Sequence, residues 1–156
     1  MRDDLRRKIL VLLAKHRIMT LATLRPDGWP QATTVGFVSD GFSLYFLCSA
    51  QSQKSANLQR DNRVSLTIDQ DVANPLDIEG LSVAALAVPV SDSAEQQKAL
   101  ALMAEKYPEY KALPQPDLSQ VQFYRLEPTV ISVLDYRKGF GHTDTVPMDE
   151  VAALAS

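Results

Sequence analysis

The sequence predicts an α+β protein of mainly β character: a small antiparallel β-barrel of six to seven strands, decorated by about three helices. Short runs of β-branched and aromatic residues recur at close spacing, and turn residues such as Pro, Gly, Asn and Asp separate them. Only three segments show helical periodicity. A chain of 156 residues has the length of one domain with its own core. We therefore expect a single domain over residues 1–156.

The N-terminal half supplies one helix and three strands joined by tight turns. Residues 5–15 carry apolar side chains at helical spacing, and Asp3 and Asp4 lie where a helix start favours acidic residues. Residues 25–28, Arg-Pro-Asp-Gly, form a turn, and residues 40–41, Asp-Gly, form a hairpin. The strands around these turns are expected at residues 19–24, 31–38 and 43–48.

The rest of the chain continues this pattern with longer elements. Ser93 and Gln96 predict a capping box that opens a helix, and Pro108 marks the end of that helix. The remaining elements are expected as a short helix at residues 52–60, strands at 64–68, 81–90, 121–126 and 129–135, a loop at 136–144 and a short amphipathic turn at 148–154.

Composition and charge exclude several classes of partner. The net charge is −3 and the sequence pI is about 5.3, which argues against nonspecific binding to nucleic acid or to an anionic membrane. Cys48 is the only cysteine, so no intramolecular disulfide can form and a reducing compartment fits. The longest apolar run near the N-terminus, residues 9–14, is too short for a signal or a membrane span. We expect a cytoplasmic protein.

Metal, phosphotransfer and hydrolase chemistry find little support in the motifs. His16 and His142 are the only histidines, and they show no metal-ligand spacing. The chain has no Gly-rich loop followed by Lys-Ser/Thr and no Gly-x-Ser-x-Gly motif. We expect no metal site, and no side chain is identified as a catalytic acid or base.

The strongest local signal is the polar cluster Ser-Ala-Gln-Ser-Gln-Lys-Ser at residues 49–55. It lies where a strand runs into a short helix, so free main-chain N–H groups and the helix dipole would favour an anion. Lys54 supplies a charge, Ser49 and Ser52 supply hydroxyls, and Gln53 supplies an amide donor. The pattern predicts a phosphate site; an ordinary polar loop with Ser52 as N-cap is the alternative.

Two further segments could approach a flat ligand. Residues 33–35 either serve as ordinary β-branched strand residues or line the edge of a ring. The loop at residues 139–144 contains two glycines that allow close main-chain approach, and Phe140 or His142 could cover a cofactor or substrate; a surface turn is the alternative. Because side chains fill a small barrel, a large ring must bind outside it, where two copies meet.

In these segments the chain resembles the pyridoxamine 5'-phosphate oxidase-like family of FMN-binding split β-barrels. The resemblance extends from the first helix to the loop at residues 139–144. It is carried by Thr-Leu-Ala-Thr at 20–23, Gly-Trp-Pro-Gln-Ala at 28–32, Leu-Tyr-Phe at 44–46, Ser-Gln-Lys at 52–54, Asn-Leu at 57–58 and Asn-Arg-Val-Ser-Leu at 62–66.

The resemblance implies a homodimer with two FMN molecules at the subunit interface, where the loop and tail at residues 136–156 would also pack. It implies that Ser52, Gln53 and Lys54 hold the phosphate and that Ser49 approaches the ribityl chain. The other positions that it implies are Ala32, Thr33, Thr34 and Val35 beside the flavin, with Gly80, Leu81, Phe140 and His142 as contacts from the second subunit.

Three cations of the oxidase itself are missing. The oxidase has arginines at the positions of Ala32 and Gln53, and a substrate-binding lysine at the position of Phe37. Their loss argues against a vitamin B6 phosphate substrate, because charge-assisted hydrogen bonds are about twice as strong as neutral ones.

The sequence leaves four functions open. The first is an FMN-dependent oxidoreductase of unknown substrate. The second is an F420 (deazaflavin)-dependent reductase, and the third is a non-catalytic flavin or haem protein with His16 or His142 as the haem ligand. The fourth is an interaction module that binds no cofactor. The F420 function would need a basic groove built from Arg17, Arg25, Lys54, Arg60 and Arg63.

Overall fold

The fold is one antiparallel sheet curled into an open barrel and covered by helices. The computed structural model describes residues 2–115, 117–147 and 149–151. Its helices are α1 (Arg2–Lys15), α2 (Gln53–Arg60) and α3 (Ser93–Lys106). Its strands are β1 (Ile18–Leu24), β2 (Pro30–Gly36), β3 (Val38–Asp40), β4 (Ser43–Ser49), β5 (Arg63–Ile68), β6 (Glu79–Val90), β7 (Val121–Asp135) and β8 (Thr143–Val146). Short 3-10 helices lie at Pro75–Asp77, Pro108–Ala112 and Tyr136–Lys138.

The strands pair in the order β2-β1-β5-β6-β7-β4-β3, with β8 added to β7. All of these pairings are antiparallel. The two strands at the ends of this order, β2 and β3, follow one another in the chain and are joined through Phe37. The predicted α+β fold with an antiparallel sheet is therefore confirmed.

The barrel is split between β2 and β4. β3 pairs with the first residues of β4, up to Val38 opposite Tyr45, whereas β2 pairs with β1. In the described part of the chain, the outer edge of β2 has no partner strand, and neither has the same side of β4 beyond Tyr45. Unpaired strand edges present main-chain N–H and C=O groups. A ligand or a second chain can therefore bind along this split.

The buried side chain of Tyr107 holds the bend between β2 and β3. The Phe37 N–H donates to the Tyr107 hydroxyl oxygen (3.0 Å) and to the Arg17 carbonyl (3.2 Å). The single proton of this hydroxyl is shared between the carbonyls of Arg17 and Phe37, the latter at 2.7 Å. A Cβ at Gly36 would lie 3.4 Å from this hydroxyl. The bend thus depends on an aromatic residue 70 positions away in the chain.

Apolar clusters form on both sides of the sheet. The larger fills the barrel beneath α1 and includes Ile9, Leu21 and Phe46. The smaller packs α3 against β3, β4 and β7 and includes Ala99 and Phe123. Among the described residues, no helix is both long and apolar enough to cross a bilayer.

The main departure from the predicted elements is in β7, which runs unbroken through Pro128 instead of forming two strands. The register shifts between Ala84 and Ala85, so that Val130 and Pro128 oppose them and Thr129 is the extra residue. The Thr129 hydroxyl donates to the Ala84 carbonyl (3.1 Å). A bulge lets a strand tolerate a residue that lacks an N–H, which explains why proline does not end β7.

Three smaller predictions also needed correction. The N-cap of α3 is Asp92, one residue before Ser93, and its carboxylate accepts the Glu95 N–H (2.9 Å). The strand predicted at residues 31–38 breaks at Phe37, and the loop predicted at 136–144 already contains the start of β8. For the turn predicted at 148–154, residues 149–151 are helical, and Met148 and residues 152–156 lie outside the described residues.

We predict that Tyr107→Phe lowers the free energy of unfolding by about 1–2 kcal/mol, because it removes the hydroxyl that binds the main chain at the bend. Urea unfolding followed by circular dichroism measures this change. The matched control is Tyr110→Phe, since Tyr110 is half exposed and stacks on Tyr107. Equal unfolding midpoints for the two variants would show that the hydroxyl does not hold the bend.

Candidate functional site

Hydrogen bonds from two serines hold the loop between β4 and α2 together. Ser52 is the N-cap of α2: its hydroxyl accepts the Ser55 N–H (3.1 Å) and donates to the Ser49 carbonyl (2.7 Å). The Ser49 hydroxyl accepts the Gln51 N–H (3.2 Å). The capping role that was the alternative for Ser52 is thus present. Any role of these hydroxyls toward a phosphate stays a prediction.

The donors that remain at the start of α2 are two N–H groups and one ammonium. The first N–H groups of a helix have no intrahelical acceptor, and those of Gln53 and Lys54 find no other acceptor in the described part of the chain. The Lys54 ammonium likewise has no carboxylate partner among the described residues, and the first turn of α2 contains no acid. These groups form a donor set suited to an anion.

A buried amide network fixes α2 against the barrel. Asn57 is fully buried and donates to the Thr23 hydroxyl and to the Gln31 side-chain oxygen, both at 3.0 Å. It accepts from the Gln53 side-chain amide (2.8 Å). The amide of Gln53, predicted to bind phosphate, is therefore bound to Asn57. Sequence reasoning missed this role of Asn57, although the residue belongs to the Asn-Leu pair of the resemblance.

The four predicted residues on β2 point to alternate faces. Ala32 and Thr34 are exposed on the outer face, while Thr33 and Val35 are partly buried and turned toward the barrel interior. The Thr33 Oγ1 is buried and has no hydrogen-bond partner among the described residues. A buried hydroxyl without a partner costs free energy, and any role of Thr33 toward a ligand stays a prediction.

The outer face of the sheet carries two rows of small, uncharged side chains. The strand registers place Ser and Thr residues beside one another across six strands, and a second row of Ala and Ser lies next to them. The first row is Thr34, Thr20, Thr67, Ser82, Ser132 and Thr145, and the second is Ala32, Ala22, Ser65 and Ala84. Such a face permits close approach by another sheet.

Gly80 and Leu81 are placed by packing inside the chain. A Cβ at Gly80 would lie 2.5 Å from the Ile68 carbonyl oxygen, so only glycine allows β5 and β6 to approach here. The Leu81 side chain is buried in the larger apolar cluster. A ligand could reach these two residues only through main-chain atoms, and their predicted contact with a cofactor stays a prediction.

The loop after β7 is anchored by an ion-pair cluster. Asp135 is buried and binds the Lys8 ammonium (3.0 Å) and the Arg137 guanidinium (3.2 Å), and both cations also bind Glu79. Burial alone would raise the pKa of Asp135, but the hydrogen bonds from the two cations lower it below its usual value. Arg137 is thus engaged within the chain and is not free for an anionic substrate.

The two loop residues predicted to cover a ligand are accessible. Phe140 is 82% exposed, and its ring lies 5.6 Å from that of Tyr136. The Nε2 of His142 lies 3.0 Å from an Asp144 carboxylate oxygen. The other histidine, His16, is buried, and its pKa is lowered because burial disfavours the charged ring. His142 is therefore the histidine that could reach an external ligand.

The basic side chains proposed for an F420 groove are held by local partners. Arg17 pairs with Glu109, Arg63 pairs with Asp61, and Arg60 donates to two main-chain carbonyls after β1. Arg25 lies 3.6 Å from Asp27. Within residues 2–115, 117–147 and 149–151, no cluster of three or more His, Cys, Asp or Glu residues could hold a metal ion.

Solved structures show the same fold. A haem-binding protein from Mycobacterium smegmatis is 24% identical with a TM-score of 0.78; the match covers 94% of this chain and 59% of that protein. A putative pyridoxamine 5'-phosphate oxidase from Listeria innocua is 23% identical with a TM-score of 0.71, over 84% and 98% of the two chains. The haem storage protein HutZ of Vibrio cholerae is 24% identical with a TM-score of 0.66, over 78% and 88%.

The sequence itself matches a protein family over most of its length. No curated protein matches the chain. The chain spans less than two thirds of the mycobacterial haem-binding protein, so that protein's activity does not transfer as a whole. The family model for pyridoxamine 5'-phosphate oxidase, however, matches residues 5–135. The protein therefore belongs to the pyridoxamine 5'-phosphate oxidase family.

Proposed function

We propose that this protein binds FMN at the interface of a homodimer and acts as an oxidoreductase. The observation that carries the proposal is the donor set at the start of α2, where two N–H groups and the Lys54 ammonium lack acceptors in the described part of the chain. Family membership supports it. The flavin would supply a ring that accepts hydride, and the protein would supply binding, orientation and electrostatics.

The phosphate end of FMN fits the start of α2. An anion there gains from the helix dipole and from the N–H groups of Gln53 and Lys54, and Lys54 adds a full charge. The Asn57 network holds α2 in place before any ligand arrives, which lowers the entropy cost of binding. Because this chain has Ala32 and Gln53 where the resemblance places the oxidase arginines, the side-chain charge of this site would come from Lys54.

The ring of FMN fits the split beside β2. The outer edge of β2 presents unpaired main-chain donors and acceptors in the described part of the chain. Thr33 adds a buried hydroxyl that lacks a partner within those residues. Flavin ring nitrogens and carbonyls need such groups to hold them. Because the Thr33 side chain faces the barrel interior, a ring in the split would have to reach its hydroxyl past the edge of β2.

A second copy of the chain would complete the site. We propose that the small, uncharged rows on the outer face of the sheet form the dimer contact, because they carry no charge that would have to be desolvated. Two large aromatic side chains, Trp29 and Phe140, are 71% and 82% exposed. Aromatic residues are enriched in protein interfaces, and Phe140 is a candidate to cover the flavin of the second subunit.

The substrate of this site differs from that of the oxidase itself. Phe37 occupies the position of the phosphate-binding lysine of the oxidase, and its side chain is buried in the apolar core. A core phenylalanine offers nothing to a vitamin B6 phosphate. FMN is favoured over F420, since local partners already hold four of the five cations that an anionic tail would need.

Haem binding is the second candidate, because two of the similar structures are a haem-binding and a haem storage protein. His142 is the imidazole that could ligate haem iron, since it is partly exposed and His16 is buried. A carboxylate on the other ring nitrogen commonly orients a ligating histidine. Here, however, Asp144 faces Nε2, which would leave Nδ1 as the ligating atom.

We predict that FMN binds saturably at one molecule per chain and that Lys54→Ala weakens this binding about ten- to hundredfold, as expected for loss of a charge-assisted contact. Fluorescence titration measures the affinity, and light scattering measures the mass of the complex. Riboflavin, which lacks the phosphate, should bind both forms equally.

The matched control for this test is Lys98→Ala, which removes a lysine paired with Asp40 and leaves α2 intact. Unchanged FMN affinity in Lys54→Ala would mean that Lys54 does not anchor the phosphate. An equal loss of affinity for riboflavin would mean that the substitution acts through the ring or through the fold instead.

We predict opposite effects of Thr33→Val on stability and on flavin binding. Without flavin, the variant should be more stable by about 1 kcal/mol, because a buried hydroxyl without a partner has been removed. Its FMN affinity should fall, since the ring loses a hydrogen bond. Thr33→Ser, which keeps the hydroxyl, should bind FMN like the parent. A Thr33→Val variant that is more stable and binds FMN with unchanged affinity would show that Thr33 is not part of the site.

Haem titration separates the two candidate functions. We expect added haem to produce no saturable Soret band, because His16 is buried and Asp144 leaves only the Nδ1 of His142 for the iron. The comparison variant is His142→Ala, measured by visible absorption under the same conditions. A saturable Soret band in the parent that is lost in His142→Ala would support haem binding and count against the flavin proposal.

A further inference from the structure

An apolar cavity of about 460 Å³ lies between α3 and the sheet. Gly36, Phe37 and Leu47 form its floor where β2 bends away from β4. Leu100, Met103 and Ala104 of α3 and Tyr107 at its end line one part of the cavity. The rest of its lining comes from the 3-10 helix and the segment after it, at Tyr110, Lys111, Leu113, Pro114 and Gln115. Its volume falls within the range of small-molecule pockets, roughly 300–1,000 Å³.

The cavity is lined by few polar groups, and the charged side chain in its lining is positive. Its lining contains no Asp or Glu, and Lys111 is its charged residue. The Tyr107 hydroxyl is already bound to the main chain at the bend. Lys111 has no carboxylate partner among the described residues. The cavity therefore pairs an apolar interior with one uncompensated positive charge at its rim.

The rim of the cavity also leaves apolar surface in water. Tyr110 and Leu113 line it and are 49% and 55% exposed. Exposed apolar side chains around a concave apolar surface are typical of binding sites, because a ligand removes their surface from water. Together, the apolar cavity, its exposed rim and its single cation favour one class of ligand, an apolar molecule with an anionic group.

We propose that this cavity binds a small apolar molecule that carries a carboxylate, with Lys111 pairing the carboxylate. The hydrocarbon part of the ligand lies against Leu47, Leu100 and Met103. None of the residues that line the cavity belongs to the predicted flavin site. The cavity adjoins the split in which the flavin ring is proposed, since Gly36 ends β2 and Phe37 follows it, and it is tested with the full chain and no added cofactor.

The test uses 8-anilinonaphthalene-1-sulfonate, a fluorescent aromatic anion, as the probe. We expect one saturable site per chain, from which decanoate displaces the dye. Ala104→Trp fills the cavity and should abolish the displaceable signal, provided that circular dichroism shows a folded variant. Leu113→Asp changes an exposed rim residue, so it leaves the core intact, and its new carboxylate should weaken decanoate binding.

The role of Lys111 is isolated by a charged and a neutral competitor. Lys111→Gln should lower the affinity for decanoate about three- to fivefold, as expected for an exposed ion pair. It should leave the affinity for 1-decanol unchanged. The matched control is Lys98→Gln, a lysine paired with Asp40 and outside the cavity lining, and it should change the affinity for neither competitor.

Three results would overturn the proposal. One is dye binding that survives both Ala104→Trp and Leu113→Asp, which would place the probe elsewhere. Another is an equal loss of affinity for decanoate and 1-decanol in Lys111→Gln, which would show that Lys111 does not pair with the carboxylate. The third is displacement of the dye by FMN, which would make the cavity part of the flavin site.

Discussion

The whole architecture depends on the hydrogen bonds between the Tyr107 hydroxyl and the main chain at residues 17 and 37. Within a single residue, the chain stops pairing with β1 and begins to pair with β4. A bend of that kind leaves buried main-chain N–H and C=O groups without partners in the sheet, so these groups must find partners elsewhere. One aromatic side chain at the end of α3 supplies them.

The candidate site is a consequence of that split. The bend leaves one edge of β2 and the second half of β4 without partners in the described part of the chain, and the segment after β4 turns directly into α2. The Asn57 network then ties α2 to β1 and β2, so the start of α2 and an unpaired strand edge are held in one frame. The Thr33 hydroxyl, on the inner face of β2, has no hydrogen-bond partner among the described residues.

Local chemistry was readable from the sequence, and long-range pairing was not. The Ser52 cap, the turn ending at Gly28 and most strand positions follow from nearest-neighbour preferences, and the structure confirms them. Three features depend on contacts that no window of sequence contains: the passage of β7 through Pro128, the role of Asn57 and the burial of Thr33. The site residues predicted from family resemblance are located in the structure, and their contacts with FMN stay predictions.

The bend also determines which part of residue 37 the fold needs. The Tyr107 hydroxyl binds the main-chain N–H and carbonyl of residue 37, and these hydrogen bonds do not depend on which side chain stands there. The Phe37 side chain meets a separate demand, because it is buried in the larger apolar cluster. The path of the main chain and the choice of side chain are thereby set by different contacts at a single residue, so a substitution there can change the core while the bend persists.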